Sequence, residues 1–329
     1  MKRFILQNDI GRLVSSCLLI MICFAPVLGQ NSVSNAKHVL KIVDGLRSPL
    51  RIAFDQQDNA FVTDAIGSKI LQYDQNGTLL GEILVGGSLQ GITVTSQDLL
   101  YVGERLSGEI RLLDKTGQLL KTIAADVELP LSAALDNDNR LYFVDAENRA
   151  IKVFDTKTNG FVGSFGKGIL GFPTGIAFDS KNQRILVAEH GGLVFSDSIA
   201  APGMIHVFNN NGDLLTNIGK YGHDSGEFTR IQGLAVDFDG RIYAADPFQA
   251  VITVLDEDGT FLTTIGEFGE DLGQLRAPMD VAIDSRNRLW VASMNNSSLE
   301  VFDIGDIPTD VVVNDAPVIA VSSDLLQNY

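Results

Sequence analysis

Carboxylates recur at matching places along this 329-residue chain. Asp64, Glu104, Asp145, Glu189 and Asp246 each end a short apolar run, in the segments AFVTD, LYVGE, LYFVD, ILVAE and IYAAD. Acids placed this way can bind a cation, share a proton, or accept hydrogen bonds from the backbone of their own turns. The regularity favours the third use: a reacting site draws on a few residues in one place, whereas a repeated carboxylate suits a local cap. A second set, Arg51, Gln90, Ser132, Thr174, Gln232 and Asp280, opens a different group of apolar runs. Arg51 and Asp280 are complementary and can either pair or meet a ligand; pairing is the expected use.

Histidine offers less. His38, His190, His206 and His223 show no close metal-ligand spacing, and Glu189 followed by His190 is the best local pair for ligation or proton transfer. Asp256, Asp258 and Glu267 outline a calcium loop. Such a loop bends on a Gly where this chain has Phe261, so a plain hairpin is expected. No nucleophile motif is present. The segment HGGLVFSDSIAAPG, His190 to Gly203, lengthens one connection with apolar residues including Phe195, either as a contact ridge or as a decoration on the rim. The candidate ligand contacts are therefore Arg51, Gln90, Thr174, Glu189, His190, Phe195, Gln232 and Asp280, with no catalytic residue, metal or cofactor expected.

These residues are positioned by a repeat. Ala53, Thr93, Ala134, Ala177, Ala235 and Ala282 mark six copies spaced 40, 41, 43, 58 and 47 residues apart. Apolar residues in each copy alternate or cluster in runs of strand length. The third and fourth runs are joined by DQNGT, DKTGQ, DTKTNGF, NNNGD and DEDGT, where Gly supplies the positive φ of a tight hairpin. Four strands per copy at this period predict an all-β, six-bladed β-propeller over residues 38–304. The chain reverses at alternate faces. Loops entering first strands and loops between second and third strands therefore share one face with both candidate sets and the insertion.

The sixth copy stops after LEVFD, and HVLKIVDG, His38 to Gly45, reads as a fourth strand lacking the three before it. Pairing it beside Leu299 to Phe302 closes the ring and removes a sheet edge. The tail, DVVVNDAPVIAVSS within residues 305–329, is a rival donor.

Ahead of the repeats, Lys2, Arg3 and Arg12 precede CLLIMICFAPVLG, a run of signal-peptide length, with small Val27 and Gly29 before a cleavage at Gln30. Residues 1–29 are read as a leader and the protein as exported, to a periplasm or the exterior. Asp9 and the long polar start fit a signal less well, leaving a retained anchor as the alternative. Cys17 and Cys23 both fall in the leader, and bulky Ile22 disfavours lipid attachment at Cys23. The exported chain would then have no disulfide. Formal charge is −16, and removing three cations and one anion with the leader leaves about −18. That surface repels phosphate and anionic lipid, which disfavours nucleic acid and any membrane association after cleavage. A monomer is expected.

FPTGIAFDSKNQRILVAE, FTRIQGLAVDFDGRIYAAD and LRAPMDVAIDSRNRLWVAS, with third strands ending VFD, resemble NHL repeats, although Arg51, Ser132 and Asp280 replace the Gly of that pattern in three copies. The resemblance implies a six-bladed propeller. It leaves function open, because relatives include binding scaffolds, RNA-binding modules, signalling ectodomains and some enzymes. The preferred reading is a non-enzymatic scaffold that presents the insertion-bearing face to a protein, peptide or glycan. The rival is a hydrolase or lyase acting at the axis.

Overall fold

The computed structural model describes residues 36–305, apart from 124–125, 191, 194–199 and 202. The leader, the tail and Phe195 lie outside the described residues.

Six four-stranded antiparallel sheets form the blades of a propeller. Blade 1 comprises Pro49–Phe54, Ala60–Asp64, Lys69–Tyr73 and Leu79–Leu84; blade 2 comprises Leu89–Val94, Leu100–Glu104, Ile110–Leu113 and Leu119–Ile123. Blade 3 is Pro130–Leu135, Arg140–Asp145, Ala150–Asp155 and Gly160–Phe165, and blade 4 is Pro173–Asp179, Arg184–Glu189, Ile205–Asn209 and Leu214–Ile218. Blade 5 is Gly233–Val236, Ile242–Asp246, Val251–Leu255 and Phe261–Ile265. Blade 6 takes Pro278–Ile283, Arg288–Ser293 and Ser298–Asp303 from the end of the chain and Lys37–Ile42 from its start. The last pairing runs from Lys37 opposite Asp303 to Ile42 opposite Leu299, so the closing strand is the N-terminal one. Lys41 Nζ lies 3.2 Å and His38 Nε2 2.8 Å from the wholly buried Glu300 carboxylate, which pins the closure with charge as well as main-chain bonds.

Second strands are buried along nearly their whole length, so each sheet packs against both neighbours, and the core falls into six seams between neighbouring blades. Trp290, Ile42, Leu46 and Val62 share the seam between blades 6 and 1, so closing the ring also completes a core. Hairpin glycines Gly77, Gly117, Gly212 and Gly259 have φ between 82° and 90°, as their turns require. In the longer blade 3 turn the positive φ falls one residue early, on Asn159 at 55°, a residue type that tolerates it.

On the face bearing these hairpins, the Asp at the end of a first strand caps its own turn. Asp136, Asp237 and Asp284 each accept two backbone amides, the Nε of Arg140, Arg241 or Arg288, and the ring donor of Tyr142, Tyr243 or Trp290. Arg140 and Arg288, with Arg184 at the matching place in blade 4, also latch to the next blade. Arg140 reaches the Asn210 carbonyl, Arg184 that of Glu257 and Arg288 that of Gln75.

Candidate functional site

The repeated acids at second-strand ends are buried caps for the loops of the insertion-bearing face. Asp64 accepts the amides of Arg47, Ser48 and Gly67; Glu104 those of Ser88 and Ser107; Asp145 those of Glu128 and Leu129; Asp246 those of Thr229, Arg230 and Phe248. Each carboxylate is spent on its own blade, and in blade 6 the Ser293 hydroxyl takes the place of the acid by accepting the Arg276 amide. Burial raises the Glu104 carboxyl, but hydrogen bonds from the Ser107 side chain and from the Ser88, Ser107 and Leu106 amides together hold it below its ordinary range.

First strands bulge near their starts in blades 1, 2, 3, 4 and 6, which takes a backbone carbonyl out of the ladder near the axis. Arg51 collects three of these. Its guanidinium crosses from blade 1 to donate to Leu131 O at 2.9 Å, Thr174 O at 2.9 Å and Met279 O at 2.7 Å, in blades 3, 4 and 6. It also lies 3.6 Å from Asp280, whose other oxygen accepts the Ile52 amide at 2.9 Å. Both side chains are buried, Arg51 4% and Asp280 7% exposed, so the expected pairing exists and fills the axis at this level. Burial lowers Arg51 against the attraction of Asp280, and pushes the Asp280 carboxyl up to about 6 against the attraction of Arg51. Taking both charges out of water opposes the attraction between them, and the pair's bonds to four blades fix the geometry of the axis. Glycine elsewhere in this ring has a steric reason: a Cβ on Gly233 would lie 2.6 Å from Asp280 Cα.

The remaining candidates scatter around this hub. The buried Thr174 hydroxyl donates to Ile231 O at 2.7 Å, while Gln90 and Gln232 are half-buried beside the axis. Glu189 is wholly buried in blade 4. It accepts the amides of Gly171 and Phe172, and its partner is His206 at 2.5 Å rather than its neighbour His190. His206 Nδ1 lies 2.8 Å from Asn217 Oδ1, so a chain of polar groups running from buried Glu189 through His206 to exposed Asn217 ties three strands at the root of the insertion. His190 packs edge-on against Phe172 and bridges to Arg230. Among the described residues no group of three or more His, Cys, Asp or Glu side chains is arranged to hold a metal ion, and no helix is long and apolar enough to cross a membrane.

Exposed large apolar side chains distinguish the two faces. On the face with the insertion, Ile66, Leu106 and Phe248 stand on turns between second and third strands. Val43, Ile169, Tyr221, Phe268 and Leu272 stand on the loops entering first strands. Of the eighteen such residues described, eight stand on loops or turns of that face, nine, Leu84 included, line the outer strands, and Phe238 alone is on a turn of the opposite face.

No family model matches the chain. No curated protein matches it either. Among solved structures it is similar to virginiamycin B lyase from Staphylococcus aureus, at 14% identity and TM-score 0.56, covering 77% of this chain and 80% of that one. It is also similar to a gluconolactonase from Xanthomonas campestris (16% identity, TM-score 0.62, 79% and 87% covered) and to hydrazine synthase from Kuenenia stuttgartiensis (12%, 0.60, 81% and 98%). At these identities the likeness establishes the propeller fold.

Proposed function

We propose that this protein is an exported, NHL-like binding scaffold that holds a protein, peptide or glycan partner on the insertion-bearing face. The observation that carries the reading is the distribution of exposed apolar side chains on loops and turns, eight on that face against one on the other. A folded chain has no internal use for Leu106 or Ile66 in water, whereas a partner that covers them gains about 25 cal/mol per Å² of apolar surface. The opposite face is built of Asp-capped hairpins, rigid and acidic. A rival reading, a hydrolase or lyase at the axis, draws on the names of two fold neighbours. Arg51 weighs against it by occupying the axis with bonds to three blades.

The test is capture of partners from the cell envelope by the wild type, by Ile66→Ser/Leu106→Ser, and by Phe238→Ser. Loss of the same partners from the double variant alone supports the reading. Equal capture by all three, or loss only with Phe238→Ser, contradicts it.

A further inference from the structure

Two connections on the insertion-bearing face are copies of one another. GKYGHDSGEF, residues 219–228, leads into blade 5, and GEFGEDLGQL, residues 266–275, leads into blade 6. Each folds with the same four hydrogen bonds. Phe228 N donates to Lys220 O and Gly222 N to Phe228 O in the first loop; Leu275 N donates to Glu267 O and Gly269 N to Leu275 O in the second. The Glu227 amide donates to Asp224 O, and its carboxylate accepts the Asp224 amide; Gln274 and Asp271 repeat the exchange. Each loop buries one apolar residue completely, Phe228 or Leu275, and holds one aromatic out in water, Tyr221 or Phe268. The aromatics are therefore presented by fixed backbone, which lowers the ordering cost of binding.

Between these loops lies the turn of blade 5 that carries Phe248. Arg230 stacks on the Phe248 ring at 3.9 Å, and Arg276 lies 5.8 Å from the Phe268 ring. Tyr221, Phe248, Phe268 and Leu272 are 52%, 65%, 72% and 73% exposed. Aromatic rings beside guanidinium groups are the composition of protein-interface hot spots, and Leu272 adds aliphatic surface that a sugar would not match. Residues 219–232 and 266–277 hold five carboxylates against three Lys or Arg, within a chain of net charge −16. That excess steers a cationic partner toward the rings.

We infer that the twin loops and the Phe248 turn form a docking site for a polypeptide segment that carries Lys or Arg next to apolar side chains. This rests on the insertion-bearing face being the contact face, and names the sector of it that binds. The test is selection of a phage-displayed library of random 12-residue peptides on the full-length protein, followed by fluorescence anisotropy with the strongest synthetic peptide. Expected are basic, apolar-rich sequences whose Kd weakens at least tenfold in Tyr221→Ala/Phe268→Ala and in Phe248→Ala. Phe238→Ala on the other face should stay within twofold of wild type, and affinity should fall severalfold between low and high salt. All the altered side chains are exposed, and an unchanged Tm confirms folding. Selection of acidic or uncharged peptides, or equal binding by the double variant, overturns the inference. So does binding of a glycan array in place of peptides. Failure here with envelope partners still lost from Ile66→Ser/Leu106→Ser would reject this sector and leave the face intact.

Discussion

Replacing Arg51 by Met removes a guanidinium that joins blade 1 to blades 3, 4 and 6, and leaves three carbonyls and the Asp280 carboxylate without it. Breaking a buried ion pair by removing one partner costs about 3–5 kcal/mol. That is a large share of the roughly 5–15 kcal/mol by which domains are stable. At about 2 °C per kcal/mol for a large domain, Tm should fall by roughly 6–10 °C. The pH dependence gives a second, sharper readout. In the wild type Asp280 holds its proton up to about pH 6, whereas in the unfolded chain it releases it near 3.8, so the native state binds more protons between these values. Stability from this group is therefore greatest below about pH 4 and is lost as pH rises through about 6. Without Arg51 the attraction that opposed burial is gone, so the window extends to higher pH and the deficit grows from pH 5 to pH 8. Arg51→Met/Asp280→Asn, which removes the stranded charge, should recover most of the loss. Scanning calorimetry of wild type, single and double variants at pH 5 and 8 reads both effects. A single variant within 2 °C of wild type at pH 8, or a deficit that does not change with pH, would refute the reasoning.

Other consequences follow from named contacts. Arg51→Ala leaves carbonyl oxygens of three blades facing a carboxylate, a hard-oxygen set; millimolar Ca²⁺ should raise its Tm by several degrees and leave the wild type unmoved. Glu300→Ala should loosen the closing strand that Lys41 and His38 anchor. The readouts are a red shift of the single, buried Trp290 and faster hydrogen exchange over residues 37–42. Gly233→Ala should cost a few kcal/mol because its Cβ would collide with Asp280, whereas Gly163→Ala, with nothing within 4 Å, should be neutral or mildly stabilising; urea unfolding compares the two.

The repeat, the ring of six blades and the N-terminal closing strand were legible in the sequence because each follows from local pattern. Apolar alternation, Gly turns and a missing fourth strand are all features of neighbouring residues. The capping role of Asp64, Glu104, Asp145 and Asp246 was legible for the same reason, since each acts on its own blade. The Arg51 hub was only half legible: complementarity with Asp280 showed, and a Pro precedes each bulged residue, but the three carbonyls belong to residues 80, 123 and 228 positions away, and nothing local says which side chain collects them. The link from Glu189 to His206 spans 17 residues across an insertion and depends on strand pairing. Two further signals lie in the sequence. Asp136, Asp237 and Asp284 are each followed by Arg at the fourth position and an aromatic at the sixth, and the twin loops repeat at an offset of 47 residues with the same glycines.

Hydrogen-exchange footprinting of the full chain with and without its captured partner tests the contact face most directly. The account predicts protection in residues 219–232, 246–250 and 266–277, with the hairpins at 55–59, 136–140 and 237–241 unchanged. Protection of those hairpins, or of the first strands around Arg51 alone, would contradict it.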